Sequence, residues 1–190
     1  MRLPYMPTNP PSDPTTTAAY TQLSARRSPK PLQPLDLTLL HSPPVASGWS
    51  SFLGSIRTQT SLPADIRELC ICRVAVLNSA PYEWEHHAPI LESEGGLSEE
   101  ALEEVKKRKA WQGWEDVGEL FGEKQRAVLA YTDAMTIGIK VRDEVFAGLM
   151  EHFVEKEAVE VTATVAAYNC VSRFLVALDV GEANETEATK

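Results

Sequence analysis

The chain is short of cysteine, of positive charge and of long apolar runs. Cys70, Cys72 and Cys170 are the 3 cysteines among 190 residues, too few and too badly spaced for a disulfide framework or a four-ligand zinc site. A reducing compartment fits them. The formal charge is -9, from 27 acids against 18 bases, so phosphate backbones and anionic membranes repel the chain unless a basic patch is segregated. The only basic run, KKRK at 106–109, follows the acids of 99–104 on one expected exposed helix, an order that suits the helix dipole. Neither a nucleic-acid nor a membrane partner is therefore expected. No run of about 18 apolar residues is present, and MRLPYMPTNPP lacks the apolar core of a secretory signal. A cytoplasmic location is the expectation. Mitochondrial import is the alternative, because residues 1–31 are rich in Ser, Thr and Pro and set Arg2, Arg26, Arg27 and Lys30 against the single acid Asp13. A G-x-S-x-G elbow and a glycine-rich phosphate loop are also missing, which argues against serine-hydrolase and nucleotide chemistry.

Proline is plentiful but uneven. Ten of the 13 prolines fall in residues 1–44, so residues 1–34 are expected to form an extended or disordered arm. The hydrophobic content of 43% suffices for one core, placed at 35–182, with 183–190 as a flexible tail. Within 35–182 helix signals follow one another and no alternating strand pattern appears. Ser42-Pro43 opens a first helix carrying Val45, Trp49, Phe52, Leu53 and Ile56. PADIRELCICRVAVLN, 63–78, is apolar nearly all round and reads as a buried central helix. Pro81 begins a third, stopped by Gly95 and Gly96, with Pro89 expected to kink or divide it. Four more follow: one capped by Ser98, then 123–137, 143–153 and about 156–178. The expected fold is all-α, with about seven helices around a central antiparallel pair.

Chemistry concentrates in YEWEHHAPI, 82–90. Glu83 precedes His87 by one turn and shares its face. If the Asn78–Pro81 connection makes the second and third helices antiparallel neighbours, Glu68 approaches the same face from across the pair. A carboxylate beside an imidazole fixes its tautomer and stabilises its charged form, so the group is a competent proton relay. The plainer alternative is a surface i,i+4 pair. Glu83 and His86 also spell the E-x-x-H of helical di-iron proteins, but no second E-x-x-H is present, and His86 points about 100° away from His87. No metal and no cofactor are expected, a mononuclear Glu68/Glu83/His87 site being the remaining metal alternative. Cys70 and Cys72 lie on nearly opposite faces of one helix and read as core residues.

The run LPADIRELCICRVAVLNSAPYEWEHHAPILESEGGLSEEALEEV, 62–105, resembles the carboxymuconolactone decarboxylase family, which includes the alkyl hydroperoxidase D-like proteins, and within it the fungal-type members. R-E-L near a helix start, Y-E-W-x-x-H about fifteen residues on, A-P, and G-L-S-x-E carry the resemblance, with 39–49 and 166–178 as flanks. It implies an AhpD-like helical fold, homo-oligomers (trimers or hexamers), and a small-molecule substrate. In the peroxidase branch a glutamate, a C-x-x-C and a histidine form the centre. Glu68 and His87 match the glutamate and histidine, whereas Ala80 and Glu83 occupy the cysteine positions. The resemblance thus implies a cofactorless decarboxylase or isomerase acting on a lactone, keto acid or related carboxylated metabolite. His87 is the expected acid/base, Glu68 and Glu83 its relay partners, and Arg73, Tyr82, Trp84 and Arg173 the substrate-binding candidates. A hydroperoxide-reducing enzyme and a non-catalytic binding or assembly protein are the alternatives.

Overall fold

The computed structural model describes residues 1–184, and among them every regular element is helical. The nine α-helices are α1 (Pro14–Arg27), α2 (Pro34–Leu39), α3 (Pro43–Thr58), α4 (Ala64–Leu77), α5 (Pro81–Ser93), α6 (Glu99–Lys107), α7 (Glu123–Gly138), α8 (Asp143–Met150) and α9 (Glu155–Leu178), with 3₁₀ turns at Ala110–Gln112 and Val180–Glu182. The seven expected helices correspond to α3–α9. The expected tail lies mostly outside the described residues.

The chain divides into two compact units, Met1–Gln59 with the residues from Ala177 on, and Thr60–Val176. In the first unit the arm expected to be extended is folded. Pro14, Pro34 and Pro43 stand at helix starts, where a missing N–H costs nothing and a fixed φ assists. Asp13 caps α1 by accepting from the Thr16 amide at 2.8 Å. Ala19, Tyr20 and Leu23 then bury one face of α1, and the Tyr20 hydroxyl donates to the Pro7 carbonyl. Arg26 and Arg27, the bases that gave the arm its presequence character, both clasp Asp36 of α2, which is fully buried, at 2.6 and 2.7 Å. Composition failed here because proline marks a helix start as readily as a disordered stretch.

In the second unit α4 is the centre, packed chiefly against α5 and α7. Every residue from Leu69 to Ala75 is buried, which explains the lack of an amphipathic pattern. The turn to α5 passes through Ser79 at φ 50° and is closed by the Ala80 amide on the Ala75 carbonyl at 2.9 Å. It reverses the chain and makes α4 and α5 the antiparallel pair. The helix α5 runs through Pro89 to Ser93 without being divided. Its end comes close to the start of α4: a Cβ on Gly95 would lie 2.5 Å from the Leu91 carbonyl and 3.2 Å from the Asp65 Cα, so only glycine fits there. By length and composition α9 is apolar enough to cross a bilayer, but much of it is buried within the protein, as in a central core helix.

Candidate functional site

Glu68 sits midway along α4 and is 3% exposed. Its Oε2 is 2.7 Å from Nδ1 of His87 on α5, and its Oε1 accepts from Nε of Arg67 at 3.1 Å. A carboxylate at this distance favours the tautomer in which Nδ1–H donates to Glu68. The His87 side chain is 12% exposed, and its ring lies T-shaped to that of Tyr168 from α9 at a centroid distance of 5.1 Å. One turn earlier, Glu83 is buried and accepts from the Ser172 hydroxyl at 3.0 and 3.1 Å. Tyr168 and Ser172, four residues apart on α9, thus join the group. Nothing in their own sequence neighbourhood pointed to them, because their part depends on how α9 lies against α5.

His86 faces elsewhere. Its Nδ1 is 2.7 Å from the Tyr82 carbonyl, and its ring stacks on Tyr82 at 4.2 Å. Among the described residues no group of three His, Cys, Asp or Glu side chains is arranged to hold a metal ion. Cys72 is buried within reach of the charges of both acids. Burial is the main influence on its thiol and pushes the pKa well up, with the charges of Glu68 and Glu83 adding to the shift. Cys70, also buried, is pushed up to about 12. Neither offers a thiolate at neutral pH, and a thiolate is what nucleophilic sulfur chemistry requires.

The four substrate-binding candidates are dispersed. Tyr82 is buried on α5. Trp84 is half-buried, with Lys106 Nζ 5.8 Å from its ring centroid. Arg173 is exposed and donates to the carbonyl and side chain of Asn169. Arg73 is a correction to the sequence reading. It is 0% exposed and its guanidinium makes four hydrogen bonds to protein groups. Nε and Nη2 fork onto the Asp133 carboxylate of α7, the latter at 3.0 Å. Nη1 donates to the carbonyls of Val105 and Arg108, each at 2.8 Å, capping the C-terminal end of α6, where helix carbonyls lack partners. Trp114 Nε1 donates to the same carboxylate at 2.9 Å, and its ring lies 4.9 Å from the Arg73 guanidinium. Desolvation raises the Asp133 pKa, and the bonds from Arg73 and Trp114 act in the opposite sense. Arg73 is therefore a brace tying α4, α6 and α7 together, and it presents no group to a substrate.

Residues 43–117 match the carboxymuconolactone decarboxylase family. No curated protein matches the chain. Among solved structures, an uncharacterized peroxidase-related protein from Ralstonia eutropha JMP134 with an alkylhydroperoxidase AhpD core aligns at TM-score 0.71 and 17% identity, over 94% of this chain and 95% of that one. A protein of unknown function from Agrobacterium tumefaciens, proposed to be the antioxidant defence protein AhpD, aligns at 0.63 and 22% identity, over 73% and 90%. The debrominase Bmp8, as a cysteine-to-alanine variant in complex with 2,3,4-tribromopyrrole, aligns at 0.67 and 17% identity, over 93% and 92%. At these identities the likeness is one of fold.

Proposed function

We propose that this protein is a cofactorless acid/base enzyme, a decarboxylase or isomerase in type, that moves a proton to or from carbon in a small lactone, keto acid or related carboxylated metabolite. The observation that carries the reading is the 2.7 Å contact between buried Glu68 and His87. In this mechanism Glu68 holds the imidazole by Nδ1 and stabilises the imidazolium that forms when Nε2 takes a proton from the substrate carbon. In an isomerase the Nε2–H exchanges with solvent before it returns a proton to the enolate; in a decarboxylase no proton is taken from carbon, and an Nε2–H loaded from solvent protonates the carbon that carbon dioxide leaves. Glu83, held by Ser172, is the second acid of the relay. The Tyr168 ring, nearly perpendicular to the imidazole, packs against it.

A thiol peroxidase reading lacks support from the sulfur chemistry, because Ala80 and Glu83 stand at the C-x-x-C positions and Cys72 is held as a thiol. That an AhpD-like neighbour holds a small flat heteroaromatic ring is compatible with a small cyclic substrate. The test is incubation of the enzyme with a cell extract in deuterated water, followed by mass spectrometry, beside a His87→Gln control. A metabolite that gains deuterium only with the wild-type protein is expected, with a loss of about 10²–10⁴ in rate for the variant. Equal exchange with both proteins, or none with either, would overturn the reading and move a binding or assembly role to the front.

A further inference from the structure

We propose that a cavity beside Trp111 is a binding site for a small flat organic carboxylate, independent of the Glu68–His87 pair. The cavity has a volume of about 640 Å³ and is lined by residues of the 3₁₀ turn at 110–112, of α7, and of the α7–α8 connection. That volume is in the range of small-molecule pockets. Glu68, Glu83 and His87 are not among its lining residues.

Three features define its ligand. First, its walls are apolar and aromatic: Trp111, Trp114, Ile137 and Val145. Trp111 is 83% exposed and Ile137 63%, an arrangement that leaves an indole face open for stacking. Second, Lys140 and Arg142 stand on the same cavity, and neither takes part in an ion pair among the described residues. Third, the nearby acids do not pair with them: Glu115 on the cavity wall and Asp143 and Glu144 just after Arg142 make no ion pair among the described residues. Asp133 on the cavity floor is taken by Arg73 and Trp114. Glu115 is folded back over Gly113, where even a Cβ would meet its Oε2 at 2.3 Å. The cavity therefore combines a stacking surface with two cations that no ion pair holds, and an aromatic or similarly flat carboxylate answers both.

The test is isothermal titration of the full chain with 2-naphthoate and with neutral 2-naphthamide. Naphthoate is expected to bind with a Kd below about 1 mM and the amide at least about tenfold more weakly. Lys140→Ala/Arg142→Ala is expected to weaken naphthoate binding by at least about tenfold, and Trp111→Ala to weaken both ligands. All three positions are exposed, so these variants keep the fold. His87→Gln should leave naphthoate affinity unchanged, so the cavity and the acid/base proposal succeed or fail separately. No binding by about 1 mM, equal affinity for acid and amide, affinity indifferent to the Lys140 and Arg142 changes, or affinity lost in His87→Gln would each overturn the proposal.

Discussion

Replacing Arg73 by methionine tests whether this arginine is a brace or a substrate arm. Methionine matches much of the length of the side chain and removes every donor. The Asp133 carboxylate, 5% exposed, would lose its cation, and breaking a buried pair from one side costs about 3–5 kcal/mol. The carbonyls of Val105 and Arg108 would also lose their donor. With overlap between these effects, a loss of about 4–6 kcal/mol is expected, a large share of the roughly 5–15 kcal/mol that holds a domain together. At an m-value of about 2 kcal/mol/M, the urea midpoint followed by far-UV circular dichroism should fall by about 2 M or more. Removing both charges, as in Arg73→Met/Asp133→Leu, should cost less than the sum of the single changes by at least about 2 kcal/mol. If Arg73→Met lowers stability by less than about 1 kcal/mol, or if the double change is additive, the brace is refuted. A loss of substrate affinity at unchanged stability would restore Arg73 to the substrate.

Other outcomes follow from separate parts of the molecule. Ile139 has φ 60° and ψ −52°, in a γ-turn closed by the Lys140 amide on the Gly138 carbonyl at 2.6 Å. Such a turn is strained for a β-branched residue, so Ile139→Gly should stabilise the protein by about 1–2 kcal/mol in thermal unfolding; a lower melting temperature would contradict the strain. A disulfide reagent at neutral pH should modify exposed Cys170 rapidly and reach Cys70 and Cys72 only after denaturation, so fast loss of a second thiol in the native protein would be unexpected. The homo-oligomer implied by the family resemblance is expected to cover the apolar surface of α8 and α9, where Phe146 is 46% and Val159 68% exposed. Sedimentation should show Val159→Glu at lower mass than the wild type, and a wild type that is already monomeric would remove this expectation.

Much of the fold is legible in the sequence because its helices announce their ends. Pro43, Pro81 and Ser98 mark starts, and Gly95 marks a stop. At the end of α7 the cue is displaced by one residue, since Gly138 closes the helix but Ile139 takes the positive φ. The approach of Glu68 to His87 is legible too, because a short turn between two adjacent helices leaves few registers. What the sequence hides are partners set by distant packing. Asp133 lies 60 residues from Arg73, and no local pattern ties them. Ser172 lies 89 residues from Glu83, on a helix whose periodicity says only that it is buried.

The clasp of Arg26 and Arg27 on Asp36 bears on how residues 1–31 can be handled by a cell or by an experimenter. A protease that removed them as a presequence would strip both cations from a carboxylate that is 0% exposed and uncover the side chains that Tyr20 and Leu23 of α1 had packed against. The truncated protein would then have to protonate Asp36, expose it, or rearrange α2. The segment that by composition looks most dispensable is thus a built-in counterion for the rest of its unit, and cleavage there would act as a destabilising event.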